Sequence, residues 1–171
     1  MVRSGKNSLI LPGRLTWIVI LGLLTACASS PQADDRDDAR AYKSESRADR
    51  EAALEAAQLA KEMVGKPYRY GGHSPSGFDC SGLVYYSYSR AGIAVPRTTR
   101  SQLRAGIPVT SRSLRIGDLV FFDQEGKKFS HVGIYIGNGR FVHAPSSGKH
   151  VRIDSLNQRY WRKHFVAARR I

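Results

Sequence analysis

Residues 131–143, with the sequence HVGIYIGNGRFVH, decide the fold, because two short runs of alternating character flank a Gly-Asn-Gly turn. This pattern predicts two antiparallel strands joined by a tight hairpin. A two-residue turn would place His131 and His143 on opposite faces of the sheet, whereas a three-residue loop would place them on one face. The length of the turn therefore decides whether the two imidazoles can meet.

The apolar residues of this hairpin favour the three-residue loop, which pairs Ile136 with Arg140. In that register one face of the hairpin is uniformly apolar and consists of Val132, Ile134, Val142 and Ala144. A shift of one residue would turn a whole strand's side chains to the other face, so the sorting is informative. We therefore predict a three-residue loop, His131 and His143 as diagonal neighbours, and space beside the second ring at Gly133.

Cys80 is the candidate partner for these histidines. It follows Asp79, a typical helix N-cap residue, and so stands at the start of a predicted helix that runs to Ala91. A helix N-terminus stabilises a thiolate, which is the nucleophilic form of cysteine. We expect Cys80 to act as the nucleophile, His131 to accept its proton and later return it, and His143 to orient His131.

The order of the predicted elements indicates an α+β domain with N-terminal helices packed on an antiparallel sheet. Apolar residues at helical spacing from Asp49 predict a first helix that ends at Gly65 and Pro67. The segment from Leu83 fits either a strand or a helix by its pattern, and we predict a helix. Five later segments have the character of short strands, namely 118–123, 131–137, 140–144, 151–153 and 165–169.

The N-terminal segment has the features of an export signal. Residues 1–26 contain three basic residues, no acid and an apolar stretch at 15–24, which is the pattern of a signal peptide. The following Leu24-Thr25-Ala26-Cys27 resembles the processing box of bacterial lipoproteins. This resemblance implies cleavage after residue 26, lipidation of Cys27 and an anchor in the outer membrane facing the periplasm.

Charge divides the remaining chain into two parts. Residues 28–50 contain six acids and five bases with almost nothing to bury, which predicts a polar tether, although part of it could extend the first helix backwards. Residues 51–171 contain 19 bases and 8 acids, a net charge of +11. In an exported chain this charge fits membrane headgroups or carboxylate-rich peptides, or else a basic surface that only keeps the protein soluble, and we expect no nucleic-acid partner. The predicted domains are a signal peptide at 1–26, a lipidated cysteine and tether at 27–50, and a catalytic domain at 51–171.

Five motifs occur in an order that is characteristic of a known family: Tyr68-Arg69-Tyr70-Gly71-Gly72, Phe78-Asp79-Cys80-Ser81-Gly82, Pro96-Arg97-Thr98-Thr99, Gly117-Asp118-Leu119-Val120-Phe121-Phe122 and His131-Val132-Gly133-Ile134-Tyr135. From about Ala52 to its C-terminus the chain resembles the NlpC family of papain-like cysteine endopeptidases, which act on bacterial cell-wall peptides. Among these it is most similar to the outer-membrane lipoprotein members.

The resemblance implies a papain-like fold and a hydrolase that cleaves amide bonds in peptidoglycan stem peptides or cross-links. The nucleophile, the base and the third polar residue of the family match Cys80, His131 and His143. The resemblance also implies that Tyr68 helps to form the oxyanion site. In some relatives the positions of Asp79 and Ser81 bind a free amine of the substrate. We expect peptidoglycan peptides and a membrane as partners, with no cofactor and no metal; a regulatory partner is left open, because the sequence does not identify one.

Two other functions are compatible with the same residues. Cys80, His131 and His143 could serve as three zinc ligands, although the sequence has neither an HExxH motif nor clustered cysteines. A non-catalytic peptidoglycan-binding or adaptor lipoprotein would keep the fold without cleaving its ligand. The complete Cys/His/His set argues against that second alternative.

Overall fold

The structure is a computed structural model, and it describes residues 35–124 and 126–171. In chain order its elements are α1 (Asp35–Glu62), β1 (His73–Ser74), β2 (Gly77–Phe78), α2 (Cys80–Arg90), α3 (Thr99–Ala105), β3 (Ile107–Val109), a 3-10 helix (Ser111–Ser113), β4 (Leu119–Gln124), β5 (Lys127–Gly137), β6 (Arg140–His143), β7 (Arg152–Ser155), α4 (Arg159–His164) and β8 (Phe165–Arg170).

An antiparallel sheet forms the centre of the described part of the chain. Its six strands lie in the order β3-β8-β4-β5-β6-β7, and every neighbouring pair runs antiparallel. A separate two-stranded ribbon, β1–β2, lies just before α2. The predicted α+β class and antiparallel sheet are confirmed, because the helices precede the main strands as expected.

Apolar side chains fill the space between the sheet and the N-terminal helices. The buried α1 residues at this interface are alanines, whose small side chains permit close approach of the helix. They pack in one cluster with residues of α2 and of the sheet, including Ala56, Ala60, Leu83, Val84, Val132, Ile134 and Val142. A second cluster joins Trp161 of α4 to Val120, Phe122, Phe141 and Ala168. The predicted packing of helices on the sheet is therefore confirmed.

The β5–β6 hairpin closes with a two-residue turn, and the predicted three-residue loop is wrong. Gly137 pairs with Arg140, and the two residues between them, Asn138 and Gly139, have φ values of 53° and 66°. Positive φ at both central residues is what a type I′ turn requires, and Asn-Gly is its preferred sequence. Local turn chemistry thus determines how the hairpin closes.

A β-bulge then restores the predicted pairing of the two strands. The register shifts between Tyr135 and Gly137, so β5 contains one residue more than β6 at this point. Beyond the bulge Tyr135 pairs with Phe141, as the three-residue loop would have required. The predicted consequence, His131 and His143 on one face, is therefore confirmed although the turn itself differs.

The helices differ from the prediction mainly at their ends. Helix α1 begins at Asp35, so residues 35–50 extend the first helix backwards, which was the alternative to a tether. The predicted signal peptide and Cys27 lie outside the described residues. Within the described ranges, none of the helices has the length and apolar character needed to cross a membrane. Helices α3 and α4 and strand β3 are too short to give a clear periodic signal, and the sequence did not predict them.

Candidate active site

Cys80 is the first residue of α2, as predicted. Its neighbour Asp79 caps the helix, since the N–H of Gly82 donates to Oδ1 of Asp79 at 2.6 Å. The Cys80 sulfur lies 3.7 Å from Oγ1 of Thr99, and Cys80 packs against the core cluster that contains Val132. Because Val132 directly follows His131 in β5, the start of α2 packs beside the strand that carries the predicted base.

The two predicted histidines form a buried pair. Nε2 of His131 and Nδ1 of His143 are 2.8 Å apart, and the two side chains are 1% and 0% exposed. Trp161 stacks on the His131 ring, with 5.6 Å between ring centroids and 23° between planes. A Cβ added at Gly133 would come within 2.6 Å of Phe141 and 3.3 Å of the Cβ of His143. This confirms that a residue without a side chain is needed beside the second ring.

Asp154, which sequence reasoning missed, extends this pair. Its Oδ2 lies 3.0 Å from Nε2 of His143 and also accepts hydrogen bonds from Arg152 at 2.8 Å and from Nε1 of Trp161 at 2.9 Å. The predicted strand 151–153 ended one residue before Asp154. The signal that could have revealed it is the pairing of β6 with β7, which sets Asp154 diagonal to His143.

These contacts determine which nitrogen of each ring carries a proton. A carboxylate can only accept hydrogen bonds, so Nε2 of His143 must donate to Asp154 and its Nδ1 is left as an acceptor. Nε2 of His131 then donates to that acceptor, and Nδ1 of His131 retains its lone pair. The chain from Asp154 therefore fixes His131 in the tautomer that can act as a base at Nδ1.

Burial controls the protonation of the nucleophile and of the base. It raises the pKa of the Cys80 thiol, although hydrogen bonds from Thr99, Val132 and Ser81 oppose this effect. Burial, together with the neighbouring His143, holds the pKa of His131 well below its ordinary value. Both shifts favour the neutral forms, a thiol at Cys80 and an imidazole at His131, whereas a helix N-terminus favours a thiolate, so the thiolate expected at Cys80 stays a prediction.

Tyr68 lies in the same cleft as Cys80. Burial and the nearby Cys80 and Asp79 raise the pKa of its phenol, so the hydroxyl keeps its proton and can donate a hydrogen bond. Tyr68 and Cys80 line one cleft, and the predicted role of Tyr68 in the oxyanion site stays a prediction.

The resemblance predicts that Asp79 and Ser81 bind a substrate amine. In the structure these two side chains are hydrogen-bonded to each other and to Arg97. Both carboxylate oxygens of Asp79 accept from the Arg97 guanidinium, at 2.9 and 2.7 Å. Ser81 donates to Asp79 at 3.2 Å and accepts from Arg97 at 3.0 Å. Gly71 donates a backbone N–H to the second carboxylate oxygen at 3.0 Å. Arg97 and Thr99 come from a motif that sequence reasoning quoted without assigning them a role.

The zinc alternative does not fit the histidine geometry. The mutual hydrogen bond uses Nε2 of His131 and Nδ1 of His143, and Asp154 uses the remaining nitrogen of His143. A zinc ligand needs a free nitrogen lone pair, so these two rings cannot both bind the metal alongside Cys80 in this arrangement. Across residues 35–124 and 126–171, no group of three or more His, Cys, Asp or Glu is placed to hold a metal ion.

The fold and the site together define an α+β domain with a cysteine at a helix N-terminus and, on the neighbouring strands, a hydrogen-bonded chain of two histidines and a carboxylate. The profile of the NlpC/P60 family matches residues 65–170, which include every residue of that chain. The protein therefore belongs to the NlpC/P60 family.

Relatives with known names support this assignment. The chain is 48% identical over 115 residues to the murein DD-endopeptidase MepH of Escherichia coli, covering 64% of this chain and 42% of the relative. It is 46% identical over 115 residues to the bifunctional muramidase/DL-endopeptidase CwlT of Bacillus subtilis, covering 66% and 34%. A crystal structure of an NlpC/P60 family protein from Bacillus cereus superposes with a TM-score of 0.65 at 38% identity, covering 69% of this chain and 39% of that one. The chain thus spans less than half the length of each of these three relatives.

Proposed function

We propose that this protein is a cell-wall hydrolase that cleaves amide bonds in peptidoglycan stem peptides or cross-links. The observation that carries the proposal is the chain of hydrogen bonds from Asp154 through His143 to His131, which leaves a lone pair on Nδ1 of His131, on the strand that packs beside Cys80. The endopeptidase names of MepH and CwlT support peptidoglycan as the substrate class. The net charge of +11 on residues 51–171 suits a substrate rich in carboxylates.

In the proposed mechanism the Cys80 thiol gives its proton to Nδ1 of His131 as the sulfur attacks the carbonyl carbon of the scissile amide. The carbonyl oxygen gains negative charge, and the Tyr68 hydroxyl stabilises it by donating a hydrogen bond. His131 then returns the proton to the leaving amine, and a thioester on Cys80 remains. Water, deprotonated by His131, hydrolyses the thioester and regenerates the thiol.

The proposal is tested with Cys80→Ala on purified sacculi. We expect wild-type protein to release soluble peptide fragments and the variant to release none while its thermal unfolding midpoint stays within a few degrees of wild type. Mass spectrometry of fragments from defined muropeptides then identifies the bond, either the D-Ala–diaminopimelate cross-link or the γ-D-glutamyl–diaminopimelate bond. Unchanged release by the variant would contradict the thiol mechanism.

A binding protein without catalysis makes a different prediction for the same experiment. Such a protein would sediment with sacculi, release nothing in its wild-type form, and leave Cys80 unreactive toward an alkylating probe near neutral pH. We expect instead that the probe labels Cys80 and that His131→Asn slows the labelling, because the base that removes the thiol proton has been lost.

We also propose that the protein is a lipoprotein anchored through Cys27 in the outer membrane and facing the periplasm. The basic, acid-free segment 1–26 and the Leu-Thr-Ala-Cys sequence that ends at Cys27 support this proposal. Labelled palmitate should be incorporated into the wild-type chain but not into Cys27→Ala, and wild-type protein should fractionate with outer membranes. Equal incorporation into both proteins would contradict the anchor.

A further inference from the structure

The charge of the cleft beside Cys80 is uneven. This cleft, which we call the Cys80 cleft, has a volume of about 840 Å³ and is bounded by the start of α2, by α3 and by the first residues of β5. Among the described residues of its lining one is acidic, Asp79, and four are basic, namely Arg97, Arg100, Lys127 and Lys128. A cleft lined mainly by one sign of charge concentrates ligands of the opposite sign.

Asp79, the one acid among the described residues of the lining, is already paired with Arg97. It accepts two hydrogen bonds from Arg97, one each from the backbone N–H groups of Gly71 and Gly82, and one from the Ser81 hydroxyl, and its side chain is 13% exposed. A carboxylate offers about four lone-pair positions. An ammonium group of a ligand would therefore have to displace one of these donors before it could bind Asp79.

The three other bases of the cleft are differently placed. Arg100 lies on α3, and Lys127 and Lys128 begin β5, so two separate elements bring positive charge to one cleft. All three residues are exposed. Among residues 35–124 and 126–171, none of the three takes part in an ion pair.

The backbone beside the two lysines is held in an uncommon conformation. Phe129, also in the cleft lining, has φ of 52°, which a non-glycine residue keeps only where its surroundings enforce it. Asp123 enforces it here, since its Oδ1 accepts the N–H of Phe129 at 2.7 Å. Ser130 adds hydrogen bonds to both backbone groups of Gln124. These hydrogen bonds join the residues after Lys127 and Lys128 to the end of β4.

We propose that the Cys80 cleft is a carboxylate-binding subsite. Arg100, Lys127 and Lys128 bind carboxylates of the peptide that flank the scissile amide, while the closed Asp79–Arg97 pair prevents selection of a free ammonium group. The inference rests on the proposed function, because the ligand is the substrate of Cys80. It adds that the Cys80 cleft selects the carboxylate groups of that substrate.

The test compares two forms of a synthetic cross-linked stem-peptide dimer that contains both candidate bonds, one with free carboxylates and one with every carboxylate converted to carboxamide. The variant Arg100→Gln/Lys127→Gln/Lys128→Gln removes three cleft charges. The matched control, Lys61→Gln/Arg90→Gln/Lys163→Gln, also removes three positive charges, but from exposed positions outside the cleft lining. Both variants are first checked by thermal unfolding.

We expect the cleft variant to lose about tenfold in kcat/KM on the carboxylate peptide, equivalent to about 1.4 kcal/mol, and less than twofold on the carboxamide peptide. The control should change both values by less than twofold, and added salt should reduce the wild-type preference through screening. Equal losses on the two peptides, or no loss on either, would overturn the inference.

Binding to Cys80→Ala separates this inference from the proposed function. If wild-type protein cleaves neither peptide, the proposed function fails, but Kd values of the two peptides for Cys80→Ala still measure carboxylate selectivity. We expect tighter binding of the carboxylate form, and loss of that preference when the three cleft substitutions are added. Equal Kd values would overturn the inference even if cleavage is observed.

A separate comparison tests whether the cleft selects a free ammonium group of the substrate. A stem peptide with a free α-amino group and its N-acetylated form should be cleaved with kcat/KM values within about twofold of each other. A preference of tenfold or more for the free amine would show that Asp79 is open to an ammonium group and would overturn this part of the inference.

Discussion

Nε2 of His143 lies 3.0 Å from Oδ2 of Asp154, and this contact makes the second histidine more than a neutral orienting group. A histidine alone could take either tautomer, and only one of them leaves Nδ1 free to accept from His131. Arg152 and Trp161 hold the carboxylate by donating to the same oxygen. The hydrogen bond with His143 is the largest of the effects that hold the pKa of Asp154 well below its usual range, so the carboxylate is charged at neutral pH.

Asp154→Asn should reduce kcat on peptide substrate by about 100-fold or more, since replacing the carboxylate that sets the tautomer of a catalytic histidine costs up to about 10⁴-fold in a catalytic triad. Asn can donate to Nε2 of His143 and thereby favour the wrong tautomer. Because Asp154 raises the pKa of His131, the variant should also move the acid limb of kcat/KM to lower pH. A structural role alone would not move that limb.

The matched control for this substitution is Asp49→Asn on the exposed side of α1, which should leave both kcat and the acid limb unchanged. Thermal unfolding of Asp154→Asn separates misfolding from misorientation. A folded Asp154→Asn protein with wild-type kcat and an unmoved acid limb would contradict the positioning role.

The pH dependence of wild-type activity follows from the two buried groups. The pKa of His131 lies well below its ordinary value of 6.5, and a protonated base cannot accept the thiol proton. Activity should therefore be retained as pH falls through 6.5 and be lost only at lower pH. The pKa of Cys80 is raised above 9.0, so the alkaline limb should lie above that value. The measurement is kcat/KM against pH, which reports groups of the free enzyme; an acid limb at or above 6.5 would contradict the neutral pair.

The sequence identified the two members of the buried histidine pair but not the carboxylate behind them. Strand alternation was enough to sort His131 and His143 onto one face, because a buried face tolerates no shift of register. It could not distinguish a three-residue loop from a type I′ turn followed by a bulge, since both give the same pairing beyond Tyr135. Asp154 depends on how β7 pairs with β6, and such a pairing between segments joined by a longer loop is not contained in local periodicity.

The ion pair of Asp79 with Arg97 shows a second limit of sequence reasoning. Asp79 was identified as a helix cap from its own neighbours, and the structure confirms the cap. Arg97 reaches the same carboxylate from 18 residues away, through the loop before α3, a helix too short for periodicity to reveal. Charge alone predicted a basic domain, but only tertiary contacts distinguish the neutralised Arg97 from the other bases of the cleft.

Gly133→Ala should destabilise the protein and reduce activity together. The new Cβ would lie 2.6 Å from the Phe141 ring, 2.9 Å from the Val142 carbonyl oxygen and 3.3 Å from the Cβ of His143. Overpacking of this kind costs about 1–3 kcal/mol. We expect a lower urea midpoint with an unchanged slope, and a loss of kcat larger than the loss of folded protein because the second ring is displaced. An unchanged midpoint and an unchanged kcat would show that β5 and β6 accommodate the added methyl group without loss of stability or activity.

Arg170→Gln should lower the free energy of unfolding without affecting the candidate active site. Asp118 is 2% exposed, and its carboxylate accepts from Nε and Nη2 of Arg170 at 2.8 Å each. Removing one partner of a buried ion pair leaves an uncompensated charge and costs about 3–5 kcal/mol; because Arg170 is partly exposed, we expect a loss nearer 2 kcal/mol, after allowance for solvent screening. Urea unfolding at pH 7 measures it. The double variant Asp118→Asn/Arg170→Gln should be less destabilised than the sum of the two single variants. Additive losses would show that the two side chains stabilise the fold independently, and the ion pair would then contribute nothing of its own.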